Sequence, residues 1–438
     1  MSEFSRRTFL NRSVPVVLAA SGALSSTTLW AGAEPAIPSL PGSNLAENAK
    51  NESYWSDIAS QYNVSRDFVN LENAYYGVMA KPIMEEYKKN IEYVNQNNSY
   101  FLRTNYDATG CDMVRAEVAT AVGALPEEIA LTRGATEALQ NLITNYRLLK
   151  PGDTVMYSDL DYHSMQYAMN FLKDRRGAEV AKIVIPEPAT KQAILDAYAK
   201  AFQTYPKTRL LLLTHVSHRT GLVMPVADIA TMAKAKNIDV IVDAAHSWGQ
   251  IDFKPEDLNA DFIGFNLHKW IGAPLGVGFM YIKKGRLQDI DRQFSDEDFP
   301  DTDIRSRVHT GTTNTANVLT IPAAFSFHNT IGVHNKRARL LYLRDYWVNR
   351  VKDFKGIQIL TPDDQSCYGA ITSFRIAGKT TKADNVNISN QMFEKFKVFT
   401  VQRGGIAMGD CVRVSVNMAT NTQHLDRLVA AIKYVANS

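Results

Sequence analysis

The chain reads as an α/β protein: a large domain with a mainly parallel sheet between helices, then a smaller α+β portion at the C-terminus. Three observations predict this. Short apolar runs bounded by turn residues recur, among them Thr154-Val155-Met156-Tyr157, Leu210-Leu211-Leu212-Leu213 and Val240-Ile241-Val242, as buried strands do. Two runs deliver reactive side chains at their ends, Val240-Ile241-Val242 ending in Asp243 and Phe262-Ile263-Gly264-Phe265 running into Lys269, which is where open α/β sheets place ligand chemistry. Near Thr330 the composition changes to a charged helix (Lys336 to Val351) followed by strands at 370–376, 398–402 and 412–416. With 438 residues, 45% apolar and 21% charged, the chain can bury a core large enough for two domains.

Residues 1–33 are expected to be a signal peptide. Ser5-Arg6-Arg7-Thr8-Phe9-Leu10 is a twin-arginine pattern, followed by an apolar run from Val14 to Leu24 and a small-residue Ala31-Gly32-Ala33. That run is too short to span a bilayer, so no stable membrane anchoring is expected. The twin-arginine translocase carries folded proteins, which gives a periplasmic address; the alternative is an uncleaved leader on a cytoplasmic protein. A formal charge of +3 suggests no nucleic-acid partner. Cys111, Cys367 and Cys411 are an odd, scattered set, so no disulfide framework is expected, although one bridge is open.

Residues 34–70 read as a Pro/Ser/Asn-rich linker and a short helix (Tyr54 to Tyr62), 71–329 as the large domain and 330–438 as the small one. Pro82 opens an amphipathic helix to about Asn97 with Ile83, Tyr87, Ile91 and Val94 as its stripe. Thr132-Arg133-Gly134-Ala135-Thr136 lies between a strand and a helix. Such a turn is either an ordinary capped helix start or a phosphate site made of amides and a positive dipole end.

Asp243 and Lys269 alone would pass for a turn residue and a solvated amine. Together, with His246, Asn266 and His268 around them, they match the needs of pyridoxal 5'-phosphate: an amine to hold its aldehyde and a carboxylate to keep its ring nitrogen protonated. This stretch resembles the class V aminotransferase family of fold-type I pyridoxal phosphate enzymes, which includes cysteine desulfurases and isopenicillin N epimerase-like proteins. The resemblance covers nearly all of the chain after the leader and implies further roles. Gly134, Ala135 and Thr136 would bind the phosphate with His268 and Asn266, the latter replacing the family's more usual serine. Tyr162 would stack on the cofactor, with His163 second. His218 and His246 would approach its phenolic oxygen. Thr312, in Arg307 to Thr315, would reach the partner's phosphate across a homodimer axis. Arg413 would fork the substrate carboxylate, with Arg403 a weaker candidate. No metal is expected.

The resemblance leaves the reaction open. A desulfurase needs a cysteine on the loop before the carboxylate-binding arginine, and 395–407 contains none. Proton chemistry at the amine-bearing carbon remains, with Lys269 as base: transamination is the expectation, and epimerisation the alternative if Tyr162, His163 or His218 supplies a second base. Export and resemblance to periplasmic tailoring enzymes of the peptide siderophore pyoverdine imply its glutamate amino group as substrate. A protein that binds an amino-bearing peptide without turnover is the non-enzyme alternative, against which an intact Lys269 and Asp243 argue.

Overall fold

In the computed structural model, which describes residues 42–438, seven strands form one sheet. Their spatial order is Ile129–Thr132, Gly278–Ile282, Phe262–Asn266, Asp239–Asp243, Thr208–Thr214, Thr154–Ser158 and Glu179–Ile183. Gly278–Ile282 runs antiparallel to both neighbours, and the remaining pairs are parallel. The two strands that lead to Asp243 and Lys269 are adjacent and parallel. Every residue of Phe262–Asn266 is buried, the pattern of a strand covered by helices on both faces. The leader lies outside the described residues, and among those described no helix is long and apolar enough to cross a membrane.

The helix Ala135–Thr144 shows how this sheet is covered. It buries Ala135, Ala138, Leu139, Leu142 and Ile143, the spacing of a single helical stripe. These side chains join Val155, Leu212, Ile241 and Phe262 in one core cluster. The packing fixes the start of the helix beside the ends of the strands that carry Asp243 and Asn266.

The C-terminal portion holds an antiparallel four-stranded sheet in the order Val401–Arg403, Cys411–Ser415, Ile371–Ile376, Ile357–Ile359. Trp347, from the helix Val333–Val351, packs against Phe374 at 6.5 Å between ring centroids. The single strand expected over 398–402 is two. Val398–Phe399 pairs with Val69–Asn70, and the chain changes partner at Thr400 before Val401–Arg403 joins Cys411–Ser415.

The N-terminal segment departs most from expectation. Residues 45–50, read as linker, form a helix capped by the Asn44 side chain. Arg339, 1% exposed, holds that region by donating to Ala49 O at 3.0 Å and forking the Glu52 carboxylate. Residues 69–77 then form a strap. It is tied to the C-terminal sheet by Ser415 N donating to Leu71 O and Asn73 N donating to Ser415 Oγ, both at 2.8 Å. Its other end is Gly77, whose N–H donates to His268 O at 2.8 Å.

Gly77 approaches so closely that a Cβ there would lie 1.9 Å from Lys269 O. Gly77→Ala should therefore destabilise the apoenzyme by about 1–3 kcal/mol, the range for forced overpacking. Urea denaturation with and without cofactor checks this, and an unchanged midpoint would mean the strap yields freely.

The helix expected from Pro82 spans Lys81–Phe101, yet only Ile83 of its four-residue stripe is buried, and Ile91 remains 44% exposed. The stripe is real, but Tyr87 and Val94 are only half-buried, and Ile91 is left open to solvent.

Candidate active site

A cavity of about 670 Å³ lies where strand ends, the Ala135 helix start and the C-terminal sheet meet. It is lined by Lys269, Asp243, His246, His218, Tyr162, His163, Gly134, Ala135, Thr136, Asn266, His268, Arg403 and Arg413. Thr312 is the exception: it is exposed and outside this cavity.

Asp243 ends its strand 5% exposed, with Oδ1 accepting from Ala245 N at 2.9 Å. Burial raises its pKa, opposed by the Ala245 amide and the Lys269 charge. Lys269 Nζ lies 2.9 Å from His246 Nε2. Burial brings the Lys269 amine down from 10.5 to about 7, with Asp243 pulling the other way and Arg413 adding to the drop. The amine is thus half unprotonated near neutrality, as a nucleophile requires. Capture of pyridoxal phosphate by the apoenzyme should accelerate as pH rises through about 7 and then level off. Stopped-flow absorbance checks this, and a rate still climbing through pH 9 would mark an ordinary lysine.

His218 and His246 are held neutral. Burial pushes both well below 6.5, helped at His218 by Arg219 and Arg413 and at His246 by Lys269 and Arg413. The Nδ1 atoms of both are buried without a hydrogen-bond partner. His215, at the end of the strand Thr208–Thr214, is buried with its ring centroid 4.9 Å from that of Phe253 and is not part of the cavity lining. Tyr162 stands at the start of the helix His163–Arg176, its ring edge-on to His218 at 5.2 Å and 4.6 Å from His163.

At the opposite end, the helix Ala135–Thr144 begins after Gly134, which has no side chain to cap it. Asn266 Oδ1 accepts from Ala135 N at 2.7 Å, which ties the neighbouring strand end to this helix start. A Cβ on Gly134 would lie 2.9 Å from Asn266 Oδ1 and 3.2 Å from His268 Cε1, so glycine keeps this corner open. His268 Nδ1 donates to Val277 O at 3.0 Å. Burial, then the Lys269 charge, lowers His268 to about 4, and a phosphate dianion alongside would raise it.

The residues therefore fit pyridoxal 5'-phosphate. A reactive amine and a buried carboxylate line one cavity, with a helix start at a glycine corner and two histidine nitrogens lacking partners.

Arg413 is where the geometry departs from expectation. It is 1% exposed and already engaged: Nε donates to Glu72 Oε2 at 3.2 Å, Nη2 donates to Glu72 Oε1, and Nη1 donates to His218 O at 2.6 Å. Arg403 Nη2 donates to the same Glu72 Oε1 at 3.0 Å. Sequence reasoning missed Glu72. The available signal was a lone acid in the strap Asn70-Leu71-Glu72-Asn73-Ala74-Tyr75-Tyr76-Gly77. None of the three cysteines lines the cavity. All are free thiols, and burial pushes Cys411 up to about 12, far from a nucleophilic thiolate.

A family model, aminotransferase class V, matches residues 78–428, and the chain belongs to that family. It is 28% identical over 337 residues to the isopenicillin N epimerase of Streptomyces clavuligerus, covering 73% of this chain and 82% of the relative. It is also 28% identical over 263 residues to a cysteine desulfurase of Haloferax volcanii, covering 57% of this chain and 60% of the relative. Among solved structures, apo cysteine desulfurase from Thermococcus onnurineus NA1 aligns with a TM-score of 0.74 at 18% identity, covering 87% of this chain and 98% of that one. The cystine C-S lyase C-DES, in complex with cysteine persulfide, aligns at 0.71 and 19%, covering 85% and 98%. The architecture is fold-type I, as the resemblance implied.

Proposed function

We propose that this chain is a periplasmic pyridoxal-phosphate-dependent aminotransferase acting on the amino group of an amino acid, the glutamate of the peptide siderophore pyoverdine being the expected substrate. One observation carries the reaction type. Lys269 is brought to about 7 in the cavity, whereas the histidines around it, His218 and His246, are held neutral. A single amine poised to take and return a proton suits transamination. Epimerisation needs a second group able to donate one: His218 and His163 are both lowered from 6.5 by burial and are poor donors at neutral pH, so Tyr162 would have to serve.

When bound, pyridoxal phosphate supplies an electron sink for negative charge at the amine-bearing carbon. Lys269 would hold it and later move the proton from that carbon. His246 orients the Lys269 amine across 2.9 Å. Asp243 would hold a proton on the ring nitrogen. Gly134, Ala135, Thr136, Asn266 and His268 would seat the phosphate, and Tyr162 would cover the ring.

The Arg6-Arg7 pattern supports the periplasmic address. A homodimer is part of the reading: Tyr75 is 71% exposed, Tyr100 74% and Ile91 44%, and a partner would cover them. Thr312, outside its own cavity, is free to serve the partner's site. The 28% identity to isopenicillin N epimerase favours epimerisation as the second reading. Mass spectrometry of siderophore intermediates with and without the enzyme separates the two. An amine exchanged for a keto group supports transamination, and an unchanged mass overturns it in favour of epimerisation.

A further inference from the structure

The turn that carries Lys269 is held through its main chain by two elements far from it in sequence. From the strap, Gly77 N–H donates to His268 O at 2.8 Å. A Cβ on Gly77 would lie 1.9 Å from Lys269 O, so the strap backbone also covers that carbonyl. The next carbonyl, Trp270 O, accepts from the amine of Lys336, on the helix Val333–Val351. A cavity of about 40 Å³ adjoins these groups, lined among others by Lys269, Gly77, Trp270, Lys336 and His328.

Lys336 is a costly residue to keep there. It is 7% exposed, its amine lies 3.4 Å from His328 Nδ1, and among the described residues no carboxylate pairs with it. Burial brings the Lys336 amine from 10.5 down to about 7, and burial followed by the Lys336 charge brings His328 down to about 3. A buried amine without a counter-charge weakens a fold, and an apolar side chain of similar volume is tolerated as well or better. Stability therefore does not account for Lys336; the carbonyl it holds does.

We propose that Lys336 is a positioning residue: with Gly77 it clamps the backbone on either side of Lys269 and so fixes where the Lys269 amine stands for cofactor capture. This rests on the reading of Lys269 as the amine that meets the cofactor, whichever reaction follows. The effect is geometric. The charges that act on Lys269 are those of Asp243, Arg413, Glu72 and Arg403, and Lys336 reaches it only through the Trp270 carbonyl.

Lys336→Met keeps the bulk and removes the donor. Its apoenzyme should melt no lower than the unaltered one. It should nevertheless capture pyridoxal phosphate at least about tenfold more slowly, the worth of one hydrogen bond from a charged donor. Stopped-flow absorbance gives the rate, and its midpoint near pH 7 should stay in place. Lys336→Gln, which retains an N–H donor, should recover most of the lost rate. An unchanged capture rate in Lys336→Met, or a loss that only follows a lowered melting temperature, overturns the proposal. So does an equal loss in both variants, or a displaced midpoint, which would make Lys336 a charge effect. Failure to find a keto product would instead sink the aminotransferase reading and leave the clamp standing.

Discussion

Lys269→Ala should reduce turnover by about 10⁴-fold or more, the upper end of what one positioned proton-transfer group supplies. The size follows from concentration of roles. Lys269 is the amine that burial brings to about 7, and the groups nearest it cannot replace it. His246, at 2.9 Å, is held neutral well below 6.5. Arg413 and Arg403 are committed to Glu72. Steady-state kinetics on the reconstituted variant provide the measurement. Borohydride treatment adds a second: in the unaltered enzyme the cofactor's mass should be fixed on the peptide containing Lys269, and in Lys269→Ala on none. Full turnover by the variant, or label on another residue, would remove the mechanism's foundation.

Asp243→Ala should lower turnover by about 10²–10³-fold, the typical loss on removing one preorganised electrostatic contact, and cofactor should leave the variant on dialysis. The carboxylate is 5% exposed and its Oδ1 is held by Ala245 N, so its position does not depend on the ligand. Asp243→Asn separates charge from shape. It keeps the bond from Ala245 but cannot hold a proton on a ring nitrogen, so it should lose comparable activity while melting close to the unaltered protein. Near-normal turnover in Asp243→Asn would assign Asp243 a packing role only.

Much of this site was legible because its parts are local. The Asp243 and Lys269 strands announce themselves as short apolar runs, and residues at strand ends inherit their position from the sheet. The turn Thr132 to Thr136 is likewise read from five consecutive residues. What escaped depends on distant pairings. Arg413 looks like a carboxylate fork until Glu72, 341 residues away, is seen to fill it. The Leu45–Lys50 helix is invisible in a Pro/Asn-rich stretch because Asn44 and Arg339 stabilise it, rather than its own composition. The helix stripe from Ile83 was correctly periodic, but periodicity does not say whether the covering surface belongs to the same chain.

The strap at residues 69–77 bears on how the protein is made. Its clamps to Ser415 join positions 342 residues apart, and Val69–Asn70 pairs only with Val398–Phe399. A chain still on the ribosome can seat Gly77 against His268, but it offers the other end of the strap nothing to close against until its last strand has emerged. Contacts of such long separation form late, so this side of the cavity is closed only after synthesis ends.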